Sequence, residues 1–91
     1  TMADCGRAML RGANLAGATF ALANISRAVF AGANLAGADF SNAYTFRANF
    51  AGVDLSRSKG LTQVQIEAAC GDKTTVLPVD LAPPRRWSCD D

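Results

Sequence analysis

The sequence predicts one small domain wound as a repeat around a common interior, and three observations predict it. The chain has 91 residues and a mass of 9.5 kDa, the size of a single domain. Apolar residues make up 49% and charged residues 19%, enough to build a core and too apolar for a disordered tail. Written in fives from Ala3 to Arg57, the chain resolves into eleven units: ADCGR, AMLRG, ANLAG, ATFAL, ANISR, AVFAG, ANLAG, ADFSN, AYTFR, ANFAG and VDLSR. The first position is Ala in ten of the eleven, with Val53 the exception. The third position is Cys5, Leu10, Leu15, Phe20, Ile25, Phe30, Leu35, Phe40, Thr45, Phe50 and Leu55, so only Thr45 is polar. An apolar period of five matches neither the ~3.6 residues of a helix nor the ~2 of a strand. Another kind of winding must bring every fifth side chain to a shared interior.

These units carry the motif A(N/D)(L/F)xx, and residues 3–57 thereby resemble the pentapeptide-repeat family. The resemblance implies an all-β fold: a right-handed quadrilateral parallel β-helix with four repeats per coil. The leading Ala and the third-position side chain would then point inward. Eleven units give 55 residues, about 2.75 coils, in a stack only ~13 Å tall at ordinary strand spacing. A register of 20 residues sets Leu15, Leu35 and Leu55 on one face. It sets Phe20 over Phe40 on a second, and Leu10, Phe30 and Phe50 on a third. Cys5, Ile25 and Thr45 share the fourth. Like packs on like on three faces, as a close-packed solenoid requires. The 18 alanines, which elsewhere would suggest helix, are mostly these leading residues, and a larger side chain at Ala33 would overpack the interior.

The rhythm stops after Arg57, and residues 58–91 read as a C-terminal cap over the last coil. A helix is expected over about residues 63–70. Thr62 is its N-cap, Gln65 completes a capping box, Leu61 and Ile66 form a hydrophobic staple, and Gly71 ends it. Pro78, Pro83 and Pro84 make the following segment extended and irregular, anchored by Leu77, Leu81 and Trp87. The pattern LTQxQI…ACGD…LP…L…P…W also resembles the tail of small bacterial pentapeptide-repeat proteins.

Cys70 and Cys89 flank this cap, and a bridge between them is plausible in an oxidising compartment; in the cytoplasm both would be free thiols. The pair leans toward a periplasmic or secreted location. Cys5, at an inward position, reads as a small buried hydrophobe. The chain has no histidine, which removes His-based triads and His metal ligands, and no CxxC pair suggests a metal site. No catalytic residue, cofactor or small-molecule substrate is expected. The longest uncharged run, residues 12–26, is too short and polar to span a membrane.

Function is expected on the surface. Arg7, Arg27 and Arg47 are spaced by one coil and form a ladder, beside which Tyr44 and Phe46 occupy outward positions. This Arg–aromatic strip is the candidate contact face; the plainer reading is a solvated surface whose aromatics pack under the cap. The expected function is a non-enzymatic interaction or scaffold module for another protein. The alternative, suggested by the resemblance, is a DNA mimic that protects or inhibits DNA gyrase or topoisomerase. Duplex DNA carries about one negative charge per 1.7 Å, whereas the repeats hold three aspartates against five arginines. A net charge of +1 and the lack of a recognition motif argue against nucleic-acid binding. The uncapped N-terminal coil allows end-to-end dimers through Cys5, Leu10 and Leu15.

Overall fold

The computed structural model describes residues 9–85 and 87–89, so Cys5, Arg7 and any dimer contact through Cys5 lie outside the described residues. Parallel bridges tie residues 20 apart: Met9 to Val29, Asn14 to Asn34, Thr19 to Asp39 and Asn24 to Tyr44. Val29 pairs onward with Asn49, and Asp39 with Lys59. Each bridge is an isolated pair, and no extended strand or sheet forms among the described residues.

The backbone bonds explain the period. The N–H of a third-position residue donates to the second-position carbonyl of the next coil, as from Phe20 to Asp39 (2.7 Å) and from Ile25 to Tyr44 (2.9 Å). The second-position N–H donates back the other way, as from Tyr44 to Ala23 (2.9 Å) and from Asn49 to Ala28 (2.8 Å). Within each unit the chain turns. The N–H of a leading residue donates to the third-position carbonyl of the unit before, as from Ala23 to Phe20 (2.8 Å) and from Ala33 to Phe30 (2.7 Å). The fifth position supplies the left-handed residue of a type II turn. Glycine takes this conformation at 12, 17, 32, 37 and 52; Leu22, Arg27, Asn42 and Arg47 take it at the remaining corners between 12 and 52.

The second-position Asn, Asp or Thr locks the same turn from outside. Its side-chain oxygen accepts the N–H two residues on, as in Asn24 to Ser26 (3.0 Å), Asp39 to Ser41 (2.9 Å) and Asn49 to Ala51 (2.9 Å). A short polar side chain that bonds its own backbone two residues ahead favours a turn over a helix or strand. That bond is the reason for the N/D in the motif. In Asp39 and Asp54 the hydroxyl of the following serine donates as well, and these bonds hold both carboxyls below the usual aspartate range.

Inside, the core is apolar and layered. Phe20 stacks on Phe40 and Phe30 on Phe50, each pair with centroids 5.4 Å apart. The two stacks meet edge to face, Phe20 against Phe30 at 5.6 Å and Phe40 against Phe50 at 5.8 Å. Ile25, Leu35 and Leu55 are fully buried, and the leading Ala23, Ala28, Ala33, Ala38, Ala43 and Ala48 fill the space beside the rings. Leu10 and Leu15 pack against this core and are partly buried.

The ladder does not stop with the repeats. Asn49 pairs with Cys70 and Asp54 with Val76. Between Lys59 and Cys70 the chain forms α1, Gln63–Ala68, where a rung over Tyr44 would otherwise lie. Thr62 caps it and the capping box with Gln65 is complete. The helix ends differently from the sequence expectation. It closes at Ala68 with Ala69 extended at the C-cap, and Gly71 is not a left-handed terminator. Gly71 serves close packing: a Cβ there would lie 2.6 Å from the Trp87 ring. Trp87 in turn donates from Nε1 to the Ala69 carbonyl (2.8 Å), and Cys70 and Cys89 form a disulfide.

Candidate interaction face

The candidate face is the side of the coil on which the helix replaces a rung. Residues 44 and 46 are the second and fourth positions of their unit, so both side chains leave the coil outward while Thr45 points in. Tyr44 is 61% exposed and Phe46 54%. Thr45 is buried, and its hydroxyl donates to the Gln65 carbonyl (2.8 Å). The one polar third-position residue is therefore the joint between coil and cap. Gln65 completes that joint: its Nε2 donates to the carbonyls of Phe40 (2.8 Å) and Ala43 (3.0 Å), and its Oε1 accepts from the Thr62 N–H (2.8 Å).

Arg27 and Arg47 both reach Phe46. Their guanidinium carbons lie 5.4 and 5.9 Å from the ring centroid, within cation–π range. Both arginines are exposed and both hold left-handed corners, with φ of 62° and 58°. A side chain in that conformation costs roughly 1–2 kcal/mol relative to the right-handed form. The expected third member of the ladder, Arg7, lies outside the described residues.

Two grooves meet at Phe46. One, of about 480 Å³, runs between the coil and α1 and is lined by Tyr44, Phe46, Val64 and Ala68, with Asn24 and Ser26 below. Val64 is 76% exposed there. The other, of about 410 Å³, holds Arg27, Arg47 and Glu67 and is bounded by the Cys70–Cys89 bridge and Ser88. Val64, Ala68 and Glu67 were not legible as site residues. The capping box marks a helix, yet nothing in it says which side of the coil the helix will cover.

Among the described residues, no group of three or more Cys, Asp or Glu is placed to hold a metal ion, and no helix is long and apolar enough to cross a membrane. The grooves lie on a coil of five-residue units tied at a 20-residue register. That class has a name: the chain belongs to the pentapeptide-repeat family, whose model matches in eight copies over residues 2–27 and 23–59. The family is one of protein-interaction or structural modules. No curated protein matches the chain.

Proposed function

We propose that the chain is a non-enzymatic interaction module, wound as a right-handed quadrilateral β-helix, whose partner protein docks on Arg27, Tyr44, Phe46 and Arg47. The observation that carries this reading is the occupancy of the left-handed corners. Glycine fills five of the nine between residues 12 and 52 at no steric cost, whereas Arg27 and Arg47 stack on one corner and both reach an exposed phenylalanine. Strained residues grouped beside an exposed aromatic support a binding role, because strain of this kind clusters at functional positions. Aromatic and arginine side chains are also the types enriched at protein interfaces.

The test is capture of binding proteins by the wild type against Arg27→Glu and Phe46→Ala, both substitutions being at exposed side chains. Loss of the same partners with both variants, at unchanged melting temperature, is expected; partners retained by both would eliminate this face. The DNA-mimic reading is disfavoured by charge: the described coil carries Asp39 and Asp54 against Arg11, Arg27, Arg47 and Arg57. The protein should fail to protect gyrase supercoiling from a quinolone, and protection would overturn that judgement. The disulfide supports a periplasmic or secreted location. Partly buried Leu10 and Leu15, with Met9 69% exposed beside them, keep an N-terminal dimer as a reading that ultracentrifugation tests directly.

A further inference from the structure

Where α1 replaces a rung, the bonds of that rung are restored on either side of a gap. In the coil below, Tyr44 is the rung residue and makes two axial bonds. Its N–H donates to the Ala23 carbonyl (2.9 Å), and its own carbonyl accepts from the Ile25 N–H (2.9 Å). One coil further on, the Gln65 side chain takes over the first of these bonds, its Nε2 donating to the Ala43 carbonyl (3.0 Å). At Arg47 the ladder resumes, the Arg47 N–H donating to the Ala68 carbonyl (2.7 Å). Between them, the Thr45 N–H has no acceptor among the described residues. Thr45 is 3% exposed, and a buried backbone donor without an acceptor is rare in a folded protein. Thr45 lines the groove of about 480 Å³ with Tyr44, Phe46 and Val64, and none of the lining residues is charged. Leu35, whose N–H also has no backbone acceptor, lines neither groove at Phe46.

We infer that the partner protein supplies the missing rung: an uncharged extended segment, seated in this groove, whose backbone carbonyl accepts from the Thr45 N–H. The coil's own geometry gives the side chain that goes with that carbonyl. Tyr44 offers its carbonyl to Ile25 and bridges Asn24, so a residue in the same relation to Thr45 bridges Tyr44 and sets its side chain beside the Tyr44 ring and Val64. That side chain is apolar. Tyr44, Phe46 and Val64 are exposed apolar surface, and no charge lines the groove to offset the desolvation of another. Main-chain bonding to an open rung, with a pocket for the adjoining side chain, is a general way to hold an extended peptide. The groove also has the size of a segment. Nine residues line it, whereas a stable interface between two folded proteins takes ~20–30 on each side, so this groove alone would hold a second copy of the chain poorly. The inference rests on the interaction-module reading and specifies the occupant of its face.

The probe is the peptide acetyl-Thr-Leu-Thr-Thr-amide, titrated into the full chain and followed by amide chemical shifts and hydrogen exchange. The Thr45 amide proton should move downfield and exchange more slowly, with further shifts confined to residues 43–47 and 64–68. Replacing the leucine–threonine peptide unit by a trans carbon–carbon double bond removes the carbonyl and keeps the shape. That change should weaken binding by about tenfold, whereas the same change at the threonine–threonine unit should not. Replacing the peptide leucine by glutamate or by lysine should weaken binding alike, and so should Val64→Ser in a protein of unchanged melting temperature. Equal binding of the peptide and its leucine–threonine alkene, an unmoved Thr45 amide, a preference for either charged peptide, or no shifts at millimolar peptide would each overturn the inference. So would the same shifts on concentrating the protein without peptide, which would make a second copy the occupant. The two readings fail separately. If captured partners depend on Phe46 and Arg27 while the peptide leaves the Thr45 amide unmoved, the rung inference alone falls. If capture is indifferent to both residues, the module reading falls whatever the peptide does.

Discussion

The coil and the cap are held together by opposite means. In the coil most contacts are repeated: each turn has the same backbone bond, most have the same Asn or Asp lock, and each inward phenylalanine stacks on another one coil away. In the cap almost nothing is repeated. One glutamine closes the top of the core, one tryptophan covers one glycine, and one disulfide ties the end of the tail. A repeated contact tolerates variation at a single unit, as Val53 and Thr45 show within the coil. A singular contact does not. The candidate face lies along the seam between the two regimes, where a regular rung gives way to α1.

The contrast can be broken most forcefully from inside the coil. Phe30→Ala removes a ring that touches Phe20, Phe40 and Phe50, and should lower stability by about 3–5 kcal/mol in chemical denaturation. Because the cap packs on the same core, coil and cap should unfold together; a separate cap transition would mean two independent units. Next in size is the double change Cys70→Ser with Cys89→Ser. The bridge closes a loop across a separation of 19 residues, and its loss should cost roughly 3 kcal/mol in the chain-entropy model. Trp87, the single tryptophan, gives the readout: its emission should shift red together with the melting of the coil, at a lower temperature than in the bridged protein.

Gln65→Leu sharpens the comparison at its joint. It strands the carbonyls of Phe40 and Ala43 under a buried side chain, and a loss of about 1–3 kcal/mol is expected. A neutral result would show that water replaces the amide. Leu22→Gly works in the other direction. Leu22 is 45% exposed at a φ of 64°, so glycine should raise the melting temperature, by a gain of no more than about 1 kcal/mol.

The smallest effect concerns pH. Asp39, Asp54 and Asp72 all sit below the ordinary aspartate value, chiefly because the side-chain hydroxyl two residues on donates to each. Carboxyls depressed in the folded state stabilise it above their unfolded pKa, about 3.9, and lose that contribution as pH falls through the lower folded value. Asp39→Asn keeps the turn acceptor, as Asn24 and Asn49 do, without the charge. The melting temperature should be unchanged at neutral pH and should fall less steeply below pH ~4. An equally steep acid limb would show that these turns do not set it.

Much of the fold was legible because its determinants are local. The five-residue unit, the inward third position and the 20-residue register follow from spacings within one or two units, and so does the capping box of Thr62 and Gln65. The Asx lock was visible as an unexplained preference for Asn and Asp at the second position. The glycines at the fifth position were a visible sign of left-handed corners, and would have marked Arg27 and Arg47 as unusual occupants. Gly71 was misread for a physical reason: a glycine after a helix commonly ends it, and only the Trp87 ring, 16 residues away in the chain, shows that close packing is its task.

The sequence by itself therefore determined the winding, the composition of the core and the choice of residues that face outward, because each depends on side chains and turns within a few positions of one another. Tertiary structure alone decided what lies above Tyr44 and Phe46. The placement of α1 depends on Gln65 meeting carbonyls 22 and 25 residues back and on Trp87 reaching Ala69 from 18 residues on. Those are single contacts between distant segments, with no period to announce them, and they create the paired grooves on which the proposed recognition depends.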